Sequence, residues 1–174
     1  MALSALAVMA QLGQAEATSP SEYQVKAAFI YNFAKYAEWP SEVMGSRDKP
    51  FTLCIVGRDP SDSAFSSVEG RQVGGRPLKI RRDVRMEDIA GCHIAFISES
   101  EEHRLQSVLK SMASAPILTI SDIDGFVEAG GAVGMFVADD RLKFDANFTA
   151  LQRANIKVNS QVLWMARTVH GVKR

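Results

Sequence analysis

Two cysteines, Cys54 in "FTLCIVG" and Cys92 in "CHIAFIS", are the residues of this 174-residue chain whose chemistry is most sharply placed. They lack the C-x-x-C spacing of a thiol oxidoreductase. The amino-terminal segment reads as an export signal, and in an exported chain a single such pair points to a structural or regulatory disulfide. Both stretches read as strands, the first and third of a sheet, and in a doubly wound sheet these are commonly neighbours, which makes a bridge geometrically open to them. Closing a loop of about forty residues would stabilise the fold by roughly 4 kcal/mol in the chain-entropy model. The alternative is that both are buried thiols acting as small hydrophobes.

The other reactive residue types do not assemble into a site. Three histidines show no H-x-x-x-H or H-E-x-x-H spacing, and Cys92 and His93, adjacent in a strand, point to opposite faces, so no metal site is expected. "GRDPSD" after the first strand has neither the glycines of a dinucleotide fingerprint nor the Lys and Ser/Thr of a phosphate loop, and "AGGAVG" precedes a strand rather than opening a helix. No G-x-S-x-G elbow is present. The sequence implies no catalytic residue and no cofactor. A basic run, "GRQVGGRPLKIRRDV", carries Arg71, Arg76, Lys79, Arg81, Arg82 and Arg85 and reads as an edge strand whose charges discourage pairing with other chains, the alternative being a local positive patch for an acidic protein surface or polyanion.

The elements that position these residues follow from period and punctuation. "VKAAFIYNFAKYAEWP" reads as a helix closed by Pro40, with Ser19, Pro20 and Ser21 at its entry. On a helical wheel Val25, Phe29, Phe33 and Tyr36 share the face expected in the core, opposite a strip of Tyr31, Lys35 and Glu38. Lys26 and Asn32 fall inside the apolar arc and need buried partners or a route to water. Residues 51–57, 77–84, 92–98 and 116–122 read as strands, three of them mostly apolar on both faces. Such strands belong inside a mostly parallel sheet covered by helices on each side. A helix with a Ser98–Glu101 capping box links the third strand to the fourth, and a weaker one in "DPSDSAFSSVEG" links the first to the second. Residues 132–147 read as a hairpin turning at Asp139–Asp140. A short helix follows, closing near Asn155, and Asn159 or Ser160 caps the last one, where Val162, Leu163, Met165, Ala166 and Val169 share a face and Trp164 stands apart. The fold class is therefore α/β: one three-layer domain over residues 18–174, its central sheet mostly parallel with an antiparallel edge hairpin.

Composition bounds the function. Twenty acidic residues balance twenty basic ones, so nothing favours electrostatic binding to nucleic acid or anionic lipid, and 47% hydrophobic content supports a full core. The start, "MALSALAVMAQLGQAEA", is an apolar run ending in an A-x-A site, expected to be a signal peptide over residues 1–17, cut short at its basic end. A short N-terminal helix is the alternative. The run is too short to span a bilayer, so a soluble exported protein without direct membrane insertion is expected. Two candidate sites remain. Charge and exposed apolar groups alternate toward the carboxyl end, making Asp145, Leu151 and Trp164 candidates for partner contact. Alternatively, Gly57, Arg58, Asp59, Ser98, Glu99, Ser121 and Asp122 would line a small-molecule crevice at the carboxyl ends of the parallel strands.

Taken together and in order, "YQVKAAFIYNFAKYAEWP", "FTLCIVGRDP", "GRQVGGRPLKIRR", "CHIAFISESEEHRL", "ILTISDIDGFVEAGGAVGMF", "RLKFDAN" and "NSQVLWMAR" resemble the YfiR-like family of periplasmic proteins. The resemblance implies an α/β protein of the Gram-negative periplasm, without catalytic activity, that represses an inner-membrane diguanylate cyclase by binding its periplasmic region. Release would raise cyclic di-GMP and promote biofilm growth. The resemblance matches Cys54 and Cys92 to family cysteines whose redox state is implicated in repression, and it implies a homodimer. With two cysteines, any redox control acts through this pair.

Overall fold

A computed structural model of the chain describes residues 21–58, 60 and 63–172. The expected signal peptide at 1–17, Ser19, Pro20 and Asp59 lie outside them. Helix α1 (Glu22–Lys35) opens on Ser21, whose hydroxyl accepts from the Gln24 N–H while the Gln24 side chain accepts from the Ser21 N–H. The helix stops short of Pro40 because the chain turns at Tyr36, whose carbonyl accepts from the Asn159 N–H, into strand β1 (Ala37–Glu38). A short α2 (Ser41–Met44) leads to β2 (Phe51–Val56), and a 3-10 turn (Ala64–Val68) to the hairpin of β3 (Gln72–Val73) and β4 (Arg76–Val84). Then come β5 (Ile94–Ile97), a 3-10 segment (Glu99–Arg104), α3 (Leu105–Met112), β6 (Leu118–Ser121), β7 (Val133–Ala138) and β8 (Arg141–Asn147). The chain finishes with α4 (Phe148–Arg153), β9 (Lys157–Val158), α5 (Ser160–Trp164) and β10 (Val169–His170).

Eight strands form the central sheet in the order β10, β8, β7, β6, β5, β2, β4, β3. All neighbours are parallel except at the hairpins β3–β4 and β7–β8. Every residue of β2, β5 and β6 is buried. Their pleat divides them between two layers. Phe51, Leu53, Ile55, Ile94, Phe96, Leu118 and Ile120 pack with α1, the 64–68 turn and α4, whereas Cys54, Val56, Ala95 and Ile97 pack with Leu105, Val108, Leu109 and Met112 of α3. The three-layer α/β architecture is the one expected. Asp139 and Asp140, with φ of 52° and 55°, make the tight turn of the β7–β8 hairpin, and Asn155, with φ of 54°, closes α4.

Three expectations need correction. In α1 the buried residues are Lys26, Ala27, Ile30, Tyr31, Phe33 and Ala34, while Val25 and Tyr36 are exposed, Phe29 is half-buried and Asn32 faces solvent. A helix apolar on nearly every side has no single preferred face, and its polar anchors decide the rotation. Lys26 is drawn inward to Asp122 at 2.6 Å and Glu22 at 2.5 Å, and lies over the Tyr23 ring. The Tyr31 hydroxyl donates to the Gln72 carbonyl at 3.0 Å, with the Arg71 guanidinium over its ring. Second, the Ser98–Glu101 capping box does not form: Ser98 accepts from the Ser100 N–H and Glu101 turns in to pair with Arg104, so a 3-10 segment precedes α3. Third, the last helix is only five residues long, so Met165 is exposed with Trp164, and Val169 joins the edge strand β10 beside β8.

A polar knot anchors the amino end of β5. The Trp39 indole donates to the His93 carbonyl at 3.0 Å, the Thr52 N–H donates to His93 Nδ1 at 3.0 Å, and the imidazole stacks on Phe51. Burial first, and then the Arg76 charge, lower the His93 pKa from 6.5. The neutral ring is thus part of the fold, since a protonated Nδ1 could not accept from Thr52. Because the unfolded chain binds the proton more readily, the contribution of His93 is fully present above about pH 6.5 and is lost as pH falls below that value toward the lowered folded pKa. Unfolding midpoints followed across that window should fall more steeply in the wild type than in His93→Asn. Removal of the buried cation should be costlier at all neutral pH values: Lys26→Met, which leaves Asp122 buried without its ammonium partner, should lose about 3 kcal/mol in denaturant unfolding. Adding Asp122→Asn should recover part of that loss.

Candidate functional site

Cys54 and Cys92 form a disulfide, with Cα atoms 5.8 Å apart. Cys54 sits in the middle of β2, opposite Ala95 of β5, and Cys92 lies two residues before β5 begins. The bridge therefore ties two neighbouring central strands, as their expected adjacency allowed. Both cysteines are buried, packed with Val56, Val84 and Ala95 and covered by Met86 and Ile89 from the 85–91 segment. Arg81 holds that cover in place: its guanidinium donates to the carbonyls of Asp88 at 2.8 Å and Ala90 at 3.0 Å and approaches Cys92 Sγ at 3.8 Å. The basic run is likewise structural elsewhere. Arg76 is buried and donates to the carbonyls of Gly45, Ser46 and Lys49, fastening the loop before β2.

The crevice expected at the carboxyl ends of the strands lies between β2 and β5, where the order of connection reverses. The chain fills it. A Cβ at Gly57, whose φ is 83°, would lie 2.5 Å from Ser100 Oγ and 2.7 Å from Glu101 Cγ, so glycine is what lets the 98–101 turn close over the strand ends. Ser98 is buried, its hydroxyl 2.8 Å from that of Ser100, which in turn accepts from the Arg58 N–H at 3.0 Å. What stays open is a hollow of about 180 Å³ lined by Glu99, Glu102, Asp122, Ile123 and Asp124. The structure brings Glu99 and Asp122 together there, and Arg58 is exposed and does not line it. Asp122 already serves Lys26. Among the described residues, no cluster of His, Cys, Asp and Glu has the arrangement to hold a metal ion.

The carboxyl-terminal candidates separate into two places. Asp145 is buried in β8 and is held in a two-pronged pair by Arg167, Nε to Oδ1 at 3.0 Å and Nη2 to Oδ2, while the guanidinium covers the Phe136 ring at 3.9 Å. Leu151 is 2% exposed and packs in the core; it reaches the surface only as part of the floor of a groove of about 430 Å³ bounded by α4, β9 and Leu163 of α5. Trp164 and Met165, at the end of α5, are 83% and 77% exposed. Met165 was missed because the wheel assumed a longer helix. Asn159 caps α5 and binds the Tyr36 carbonyl, which places the short helix beside the β1–β9 ribbon and the exposed Tyr36.

The YfiR/HmsC-like family model (DUF4154) matches residues 23–167, a span that includes both cysteines, the Asp145–Arg167 pair and α5. The chain belongs to the YfiR/HmsC-like family. That family is periplasmic and regulatory rather than catalytic. Among solved structures, a conserved domain protein from Vibrio cholerae O1 biovar El Tor is similar at a TM-score of 0.53 and 10% identity, over 86% of this chain and 60% of that one. This chain thus spans about three fifths of that relative, and at such identity the likeness speaks for the fold alone. An ABC domain in complex with L-Trp from Streptococcus pneumonia is similar at a TM-score of 0.48 and 14% identity, over 68% of this chain and 56% of that one. No helix among the described residues is long and apolar enough to cross a membrane.

The buried bridge of this YfiR/HmsC-like protein yields a kinetic expectation. Reductant reaches the sulfurs only when the 85–91 cover opens, so reduction should follow local opening rather than thiol concentration at high reductant. Removing the two carbonyl contacts in Arg81→Ala should speed reduction by at least about tenfold, since the net free energy of even one charge-assisted bond implies that much. Timed thiol labelling under native conditions measures this.

Proposed function

We propose that this protein represses an inner-membrane diguanylate cyclase by binding the cyclase's periplasmic region, lowering cyclic di-GMP and biofilm formation, and that the oxidised Cys54–Cys92 bridge keeps it competent to do so. The observation that carries the reading is the family match over residues 23–167. The structure adds physical support in two places. A bridge between β2 and β5 stabilises the two strands on which both packed layers rest, so reduction weakens the whole fold rather than a local loop. At the other end, two adjacent large apolar side chains, Trp164 and Met165, stand in solvent, and an exposed Trp is the residue type that most often anchors a protein interface.

In this reading Trp164 touches the cyclase, Leu151 shapes the floor of the adjoining groove, and Asp145 acts indirectly by orienting Arg167. The protein acts as a homodimer, as the family resemblance implies. The small-molecule alternative at the strand ends has less support, because the 98–101 turn occupies most of that crevice.

Affinity capture of a detergent extract of inner membranes with the purified protein tests the reading. A captured membrane protein carrying a diguanylate cyclase domain supports it; capture of none, with properly folded and oxidised bait, removes it. Trp164→Ala should weaken capture by about tenfold or more while leaving the unfolding midpoint unchanged, since interface anchors of this type are worth about 2 kcal/mol.

A further inference from the structure

Strands β6 and β7 pair only through Ile120 with Val133 and Ser121 with Gly134. Toward their amino ends they part, and the Ala132 N–H is taken by the Thr119 hydroxyl at 3.0 Å. A cleft of about 590 Å³ opens at this split, between the ends of α3 and α4. It lies at the opposite end of β6 from the filled crevice. Its walls carry small side chains, among them Ala113, Ala129, Ala132, Ala150 and Ala154, and it is backed by the buried Met112 and Ile117.

The charges at this cleft are one-sided. Lys110 from the last turn of α3 and Arg153 from the last turn of α4 both line it, and no carboxylate does. Several other basic side chains close on an acid, as in Arg104–Glu101, Lys143–Asp139 and Arg167–Asp145, but Lys110 and Arg153 form no ion pair among the described residues. The helix dipole favours a cation in each last turn separately. It does not account for two of them lining one cleft, beside the polar Gln106, Ser107 and Thr119 and the apolar Met112 and Ile117. The volume lies in the range of pockets that enclose small ligands, which pair an apolar lining with a few placed polar groups.

We propose that this cleft is a binding site for a small organic anion, a carboxylate on a short hydrocarbon body, with Lys110 and Arg153 taking the charge and the alanine-lined walls taking the hydrocarbon. The proposal does not depend on the cyclase partnership, and its test uses the isolated protein. The opposite side of α4 contributes Leu151 and Gln152 to the groove beside α5, so an occupant of the cleft and a partner at Trp164 would press on one helix from two sides.

Octanoate is a suitable probe, with octanol as its uncharged counterpart. Titration followed by backbone amide shifts and by calorimetry should give saturable shifts confined to residues 106–119, 129–132 and 150–154. The Lys110→Gln/Arg153→Gln double variant should bind at least about tenfold more weakly, with octanol comparably weak against the wild type, as loss of a charge-assisted contact implies. Ala113→Phe, at a half-exposed wall position, should block the cleft without lowering the melting temperature. Absence of saturable shifts, equal affinity for octanol and octanoate, full affinity in the double variant, or shifts centred on residues 157–165 would each overturn the assignment.

Discussion

The constraint on which this structure rests is the burial of β2, β5 and β6 on both faces. A strand with no solvent side obliges the chain to supply two covering layers, and the alternation of Phe51, Leu53 and Ile55 with Cys54 and Val56 assigns each layer its own set of side chains. The disulfide lies in the second layer, beneath the 85–91 segment, and joins the two strands at the point where the order of connection reverses. Polar groups that enter this interior pair in small local sets, Lys26 with Asp122 Oδ2 and His93 with Thr52, although Asp122 Oδ1 is buried without a hydrogen-bond partner.

The parts of the fold that depend on short-range pattern were legible in the sequence. Apolar runs bounded by Gly, Pro and Asp gave the four main strands, Asp139–Asp140 gave the hairpin, and Asn155 and Asn159 marked the helix end and start that the structure shows. Adjacency of the cysteine-bearing strands followed from topology rather than from the cysteines themselves. What was hidden depends on distant partners. The rotation of α1 is decided by Asp122, nearly a hundred residues away, and no helical wheel contains that residue. The two-residue strands β1, β3, β9 and β10 have no periodicity to read, because so short a segment is extended only by virtue of what it meets.

The candidate surface shows the same division. Trp164 could be singled out from its place among polar neighbours, and it is exposed. Asp145 and Leu151 were chosen for charge and apolarity alone, and the fold puts the first under a guanidinium and the second in the core. Neither Arg167, which covers Asp145 and Phe136 at once, nor the cations at the split between β6 and β7 announced themselves, since their meaning lies in what other elements bring beside them.

The β1–β9 ribbon is small, two residues against two, yet it pairs Ala37 with Val158 across about two thirds of the chain. Contacts so far apart in sequence are among the slowest to close, because the intervening chain must first be gathered in. The ribbon also seats the Asn159 cap of α5 against Tyr36. The exposed tryptophan is therefore held in position by contacts between the two ends of the chain, so its placement depends on the intervening fold rather than on the last helix alone.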